Sequence, residues 1–227
     1  AARRGGIAVS LGIVERSGTS LFCTAVFVSA RGEVGSTHRK LMPTYEERLC
    51  WGQGDGHGLV THSVGAFTLG SLNCWENWLP LARAALHGQG EDLHVAAWPG
   101  SERNTADITR FIAKEGRSYV LSASALLRRE DVPAGFPERE AVLAEAPMVF
   151  ADGGSCIAGP DGRWLMEPLV GAEGLVRASI DHARIREERQ NLDGSGHYAR
   201  PDVTRLVLDR SRQATVLPED AAEDEAQ

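Results

Sequence analysis

Runs of apolar, often β-branched residues alternate along the chain with polar, glycine-containing segments, and they predict a series of β-strands. The first two runs, over residues 6–14 and 21–29, flank the turn-forming sequence ERSGTS, so we expect two adjacent strands. A polar turn at 30–35 then leads into a third short strand. Further strands are predicted over 62–73, 93–98, 119–125 and 175–180, with a hairpin over 156–169 around the sequence GPDGR.

Helical spacing occurs between several of these strands. We predict helices over 79–87 and, with mostly charged residues, over 182–190. Another helix has Asn104 or Thr105 as its N-terminal cap. The apolar residues of that helix fall on one predicted face: Ile108, Phe111 and Ile112. Strands that alternate with helices, together with hairpins, favour a mixed α/β (α+β) sandwich over an all-parallel sheet.

The stretch FTLGSLNCWENWLP, residues 67–80, joins a predicted strand to a predicted helix and places Cys74 at the turn between them. A thiol at such a turn lies near helix N–H groups, which favour the thiolate, so Cys74 is a candidate nucleophile. The alternative is a small buried residue that ends the strand, because free cysteine is among the most buried residue types. The spacing alone leaves both interpretations open.

Charge and composition exclude several classes of function. The formal net charge of the 227 residues is −7, but five acidic residues lie in the last eleven positions, so we expect a disordered acidic tail over 217–227 and a folded domain over 1–216. The nearly neutral remainder argues against nucleic-acid binding. An apolar run long enough to span a membrane is missing. The four cysteines lie far apart, which argues against a disulfide framework or zinc ribbon and favours a reducing cytoplasm.

Most short catalytic motifs are missing from the sequence. The glycine-rich segment 52–58 lacks the GxGxxG spacing, and the chain contains no Walker A loop, GxSxG elbow or HExxH helix. The histidines are not spaced as metal ligands, so no metal site is predicted. Lys40 and Glu47 lie in a long polar loop over 38–58, and each by itself is typical of a solvated surface charge.

Together, these segments resemble a known family. The sequence HRKLMPTYEERLCWGQGDG, from residue 38, and the later GSLNCWENWLPLAR, from residue 70, are similar to motifs of the nitrilase branch of the carbon–nitrogen hydrolase superfamily. Further matches are HVAAWPGS, from residue 94, and GHYARPDV, from residue 196. The resemblance covers residues 1 to about 210. Ser71 is a small departure, since the family more often has a second glycine there.

The resemblance implies a fold, a site and an activity. It implies a four-layer αββα sandwich in which Cys74 is the nucleophile, Lys40 the catalytic lysine and Glu47 a supporting glutamate. Trp75 would bind the reacting substrate through its backbone N–H. The implied activity is hydrolysis of a small-molecule nitrile without a cofactor or metal. The resemblance further implies a homo-oligomer, either a dimer or a spiral, with no nucleic-acid or membrane partner.

One part of the family's machinery has no counterpart in the sequence. The family's general base is a glutamate upstream of the first strand seen here, and neither Glu15 nor Glu33 matches it. The first strand and helix of the family fold are also expected to be absent, as in an N-terminally truncated chain. Such a chain is expected to be inactive by itself or unstable. The alternative functions are an amidase, a carbamoylase, a nitrile-hydrating enzyme or a non-catalytic remnant that acts in assembly.

Overall fold

A computed structural model describes residues 1–144, 146–214 and 216 of the chain. The predicted acidic tail over 217–227 lies outside the described residues, so the tail and the domain boundary at residue 216 stay predictions. The described residues form two β-sheets and five α-helices. The α-helices are α1 (Ala2–Gly5), α2 (Pro80–His87), α3 (Glu102–Gly116), α4 (Arg139–Ala144) and α5 (His182–Asn191). Within this part of the chain, no helix combines the length and the apolar character needed to cross a bilayer.

The smaller sheet has three antiparallel strands in the order β1-β2-β3. Its strands are β1 (Val9–Ser17), β2 (Ser20–Val28) and β3 (Val34–Arg39). The hairpin between β1 and β2 turns at Gly18, whose φ of 60° suits glycine. Within this sheet, an ion pair joins Glu15 of β1 to Arg39 of β3 at 2.6 Å, and the hydroxyl of Thr24 on β2 also donates to Glu15. The pair therefore links the end of β3, directly before Lys40, to the end of β1.

The larger sheet has seven strands, six of them in the order β10-β9-β7-β6-β5-β4, while β8 pairs with β9. Its strands are β4 (His62–Val64), β5 (Phe67–Asn73), β6 (Leu93–Trp98), β7 (Tyr119–Ser124), β8 (Leu126–Arg128), β9 (Val149–Ala158) and β10 (Trp164–Val170). The three central strands β5, β6 and β7 are parallel, and the other pairs are antiparallel. The carboxyl ends of the parallel strands therefore lie at one edge of the sheet, where Cys74 follows β5.

Packing on both faces of the larger sheet forms the core. Neighbouring residues of a strand point to opposite faces. On one face, Ile108 of α3 is fully buried in a cluster with Val120 of β7. On the other face, Tyr119 packs in a second cluster with Phe27 of β2 and Leu69 of β5. The layers are thus helix, seven-stranded sheet and three-stranded sheet, which are three of the four layers expected for the αββα sandwich. The predicted mixed α/β sandwich is confirmed.

Two details of the predicted helix before β7 are wrong. The helix α3 begins at Glu102, with Ser101 as its N-cap, and not at Asn104 or Thr105. The Asn104 side chain instead donates to the carbonyl of Gly100, and Thr105 is already inside the helix, so neither is free to cap it. Phe111, predicted on the buried face, is 50% exposed.

Two of the predicted strands differ from the structure in more than their bounds. Residues 62–73 form a hairpin, because Gly65 at φ 60° turns the chain between β4 and β5. The predicted strand over 175–180 is irregular. Ile180 packs against the core between the sheets, and the Tyr119 hydroxyl both donates to the carbonyl of Asp181 and accepts from its N–H. Side-chain contacts therefore hold this segment in place of a strand ladder.

The helix α3 supplies a direct test of this packing. We expect Ile108→Ala to lower the free energy of unfolding by about 2–5 kcal/mol, because a fully buried side chain leaves a cavity. Phe111→Ala, on the exposed side of the same helix, should cost no more than about 1 kcal/mol. Urea denaturation of both variants measures the difference. Equal losses would contradict the assignment of the buried face.

Candidate active site

The backbone turns sharply at Cys74. Strand β5 ends at Asn73, and Cys74 begins a short 3-10 helix over Cys74–Trp78. Cys74 has a φ of 53°, which is uncommon for a residue other than glycine and is found mostly at tight functional turns. Its side chain is buried, with 7% of the residue exposed. The turn therefore presents the sulfur at the carboxyl edge of the parallel strands.

A chain of buried hydrogen bonds holds this turn. The Asn77 amide donates to the carbonyl of Cys74 at 2.9 Å and to that of Leu72 at 3.3 Å, so its oxygen faces away from them. That oxygen lies 2.8 Å from Nε2 of His94, whose Nδ1 lies 2.8 Å from the Glu91 carboxylate. Both ring nitrogens of His94 are thus held in hydrogen bonds, one on each side of the ring. The network fixes the strained backbone beneath the nucleophile.

Lys40 lies just beyond β3, and its side chain is almost fully buried, at 1% exposed. Its Nζ donates to Glu47 at 2.6 Å and to the hydroxyl of Thr44 at 2.9 Å. The same Glu47 oxygen accepts the Thr44 backbone N–H at 2.6 Å, which caps the 3-10 helix that carries Glu47. Burying an ammonium group is costly unless a carboxylate pairs with it, and Glu47 is this partner.

Charges and burial act in opposite directions on the Cys74 thiol. Burial raises the pKa of Cys74, and the Glu47 carboxylate also raises it. The charge of Lys40 lowers this pKa, as do the hydrogen bonds from the Trp75 backbone N–H and from Lys40. The pKa of Cys74 remains above its ordinary value. At neutral pH the sulfur is therefore mostly a thiol, and nucleophilic attack requires a base.

An apolar cavity of about 270 Å³ opens in front of Cys74. It lies between the two sheets: Ile13 and Val14 come from β1, whereas Trp98 comes from β6. Glu47 also lines it. A small organic molecule with an apolar body would place its polar, reacting group beside the sulfur and the ammonium.

The structure brings together the residues predicted from the sequence. Cys74, Lys40 and Glu47 meet at one site, and the backbone N–H of Trp75 points at the sulfur. The Trp75 side chain is 47% exposed. All four cysteines are free thiols. Cys156, the other buried cysteine, lies elsewhere in the core and contacts the hydroxyl of Thr109.

Sequence reasoning missed the buried side chains behind the nucleophile. Glu76, Asn77, Glu91 and His94 each have no more than 2% of their surface exposed, and all four make buried hydrogen bonds. Glu76 and Asn77 stand in the CWEN motif, two and three positions after Cys74. Polar residues so close to a candidate nucleophile were a usable signal. Glu91 and His94 join the site only through the contact of His94 with Asn77, which lies on a different segment and is not shown by a local pattern.

Comparison with known proteins places the chain in a family. The model of the carbon–nitrogen hydrolase family matches residues 1–190. The chain is 40% identical over 217 residues to an aliphatic nitrilase of Sinorhizobium fredii, with 96% of this chain and 70% of that protein covered. It is 35% identical over 230 residues to an aliphatic nitrilase of Rhodococcus rhodochrous, covering 95% and 59%. It is 38% identical over 219 residues to a bifunctional nitrilase/nitrile hydratase of Oryza sativa, covering 94% and 60%.

The chain therefore belongs to the carbon–nitrogen hydrolase family. Solved structures agree on the fold. A carbon–nitrogen hydrolase from Helicobacter pylori superposes with a TM-score of 0.70 at 17% identity, covering 91% of this chain and 74% of that one. An amidase from Nesterenkonia gives a TM-score of 0.62 at 23% identity, covering 84% and 70%. The chain spans about 59–70% of the length of the three nitrilase relatives.

The electrostatic account of Cys74 is tested by Lys40→Met. This change removes the ammonium and leaves the Glu47 charge unpaired near the sulfur, and both effects favour the thiol. The pKa of Cys74 should rise further, and alkylation of Cys74 by iodoacetamide near neutral pH should slow at least about tenfold, the effect of one pKa unit. Peptide mass spectrometry measures the rate, with the exposed Cys50 as an internal reference. An unchanged rate would show that Lys40 does not influence the Cys74 thiol.

Proposed function

We propose that this protein is a nitrilase, which hydrolyses a small-molecule nitrile to a carboxylic acid and ammonia. The observation that carries the proposal is the buried Lys40–Glu47 pair beside Cys74. A thiol nucleophile next to a fixed cation suits attack on a carbon whose nitrogen becomes negative. The identity to aliphatic nitrilases over almost the whole chain supports the same activity.

The first step forms a covalent intermediate. The Cys74 thiolate attacks the nitrile carbon, and the electron pair of one carbon–nitrogen π bond moves to nitrogen. The Lys40 ammonium and the Trp75 backbone N–H stabilise this charge as an oxyanion hole does, and they are already in place beside the sulfur. Protonation of the nitrogen gives a thioimidate.

Two waters complete the reaction. The first water adds to the thioimidate carbon, and the resulting tetrahedral intermediate expels ammonia to leave a thioester on Cys74. A second water attacks the thioester, releases the carboxylic acid and returns the thiol. Throughout, Glu47 holds Lys40 in position, since its carboxylate accepts from both Nζ and the Thr44 backbone N–H.

The base that takes the Cys74 proton is not assigned to a residue of this sequence. Glu47 is already engaged with the lysine. Glu15 is bound to Arg39, and Glu33 lies in an exposed turn. The resemblance implies that a further glutamate, which this sequence does not contain, performs this step.

A second candidate function is release of the amide. If the tetrahedral intermediate expels sulfur before ammonia, the same site hydrates the nitrile to an amide. The name of the rice relative, which combines both activities, favours testing this outcome. An amidase or carbamoylase activity would use the same cysteine and lysine on a carbonyl carbon. Product analysis distinguishes these activities, because they differ in the acid, amide and ammonia formed.

The proposal extends to partners and location. We place the protein in the cytoplasm, because its four cysteines are free and far apart in sequence. We also propose that it forms a homo-oligomer, a dimer or a spiral, as the family resemblance implies. Neither nucleic acid nor a membrane is part of this proposal.

The nucleophile assignment is tested by Cys74→Ala. Ammonia release from a panel of aliphatic and aromatic nitriles should fall by at least about 10³-fold, because the covalent step is lost. Cys50→Ala is the matched control and should keep full activity, since the Cys50 side chain is exposed and the substitution leaves its backbone hydrogen bond to Glu47 unchanged.

Two results would contradict this assignment or the enzyme proposal as a whole. Full activity of Cys74→Ala would exclude covalent catalysis at this residue. If the naturally produced protein with Cys74 released no ammonia or amide from any nitrile or amide tested, the non-catalytic role in assembly would replace the enzyme proposal.

A further inference from the structure

The Glu76 carboxylate occupies a central place beneath the active site. Glu76 belongs to the 3-10 helix that follows Cys74, and only 2% of its surface is exposed. Its Oε1 accepts the backbone N–H of Leu41 at 2.8 Å. Its Oε2 accepts the backbone N–H of Asn73 at 3.1 Å and Nε2 of His38 at 2.9 Å. One buried charge therefore satisfies three donors.

These donors belong to the two different segments that build the site. His38 and Leu41 flank Lys40 along the chain, where β3 of the smaller sheet ends. Asn73 precedes Cys74, where β5 of the larger sheet ends. The carboxylate thus joins the lysine segment to the cysteine turn through hydrogen bonds on both sides. A charged acceptor makes such bonds roughly twice as strong as neutral ones.

We propose that Glu76 is a positioning residue that sets the distance between Lys40 and Cys74 by bridging the ends of the two sheets. The inference rests on the roles proposed for these two residues in nitrile hydrolysis. Glu76 acts through the backbone of its neighbours and does not contact the substrate.

The arrangement requires a carboxylate and not an amide. A glutamine at position 76 has one acceptor oxygen and one NH₂ group, which can only donate. In one orientation its NH₂ group faces the Leu41 N–H, and in the other it faces the Asn73 N–H. Either way, one backbone donor is opposed and unsatisfied, so one side of the bridge opens. The lysine segment and the cysteine turn would then separate.

The chain offers a matched control at the other end of the same sheet. Asp92 is also buried, at 5% exposed. Its carboxylate accepts the backbone N–H of Thr68 at 2.7 Å and lies 2.8 Å from Nε2 of His182. Thr68 lies near the start of β5, whereas Cys74 follows the end of this strand. Asp92→Asn therefore changes a similar buried carboxylate of the same sheet, away from the site.

The experiment compares Glu76→Gln and Asp92→Asn with the unchanged protein. Alkylation of Cys74 by iodoacetamide is followed against pH, with peptide mass spectrometry and Cys50 as internal reference. In Glu76→Gln the Lys40 ammonium is held less closely to the sulfur. The midpoint of the profile should move up by about one pH unit, and alkylation below it should slow about tenfold. Asp92→Asn should keep the midpoint and the rate.

Two results would overturn the inference. The first is an unchanged Cys74 profile in Glu76→Gln, and the second is an equal shift in Asp92→Asn, which would show a general loss of packing. Failure of nitrile turnover in the naturally produced protein, together with the predicted shift in Glu76→Gln, would refute the nitrilase proposal and support the bridging role of Glu76.

A measurement on the unchanged protein covers the case in which Glu76→Gln does not fold. Leu41 lies beyond the end of β3, and its N–H donates to Glu76. Its amide hydrogen should exchange at least about 100-fold more slowly than that of an unprotected loop residue. Exchange at the unprotected rate would show that the bridge does not hold the lysine segment, and the inference would fail.

Discussion

The buried ammonium of Lys40 is the constraint on which the arrangement of the site depends. A cation removed from water is stable only beside a carboxylate and further acceptors, and Glu47 and Thr44 supply them. That need fixes the polar loop after β3, since the Glu47 carboxylate also caps the 3-10 helix that carries it. The ammonium in turn acts on Cys74, where it opposes the effect of burial on the thiol pKa. The conformation of the loop and the reactivity of the sulfur thus both depend on the charge of Lys40.

Much of this site could be predicted from the sequence. The apolar runs predicted the mixed sandwich, because the spacing of apolar residues that is typical of a strand or of a helix is visible within one short segment. The motifs around Lys40 and Cys74 predicted the family, which the comparisons confirm. The structure places Lys40, Glu47 and Cys74 together, in agreement with the hypothesis, while their catalytic roles stay predictions.

Other features depend on contacts that local patterns do not contain. Phe111 has the spacing of a core residue, yet it is half exposed because the buried side of α3 is set by Ile108 and Ile112 against the sheet. The apolar segment before α5 reads as a strand, but contacts with Tyr119 and the core hold it in an irregular path. The place of Glu76 in the CWEN motif hints at a role, but a local pattern does not show its contacts. Its three donors come from segments more than thirty residues apart as well as from its own turn.

The central claim is that Cys74 forms a covalent bond with the nitrile carbon while Lys40 stands beside it. The most direct measurement is mass spectrometry of the protein mixed with a nitrile and quenched in acid within the first turnovers. The account predicts an added mass equal to the thioimidate or acyl thioester, located on the peptide that contains Cys74. Nitrile turnover without any adduct on that peptide, or with the adduct on another cysteine, would contradict it.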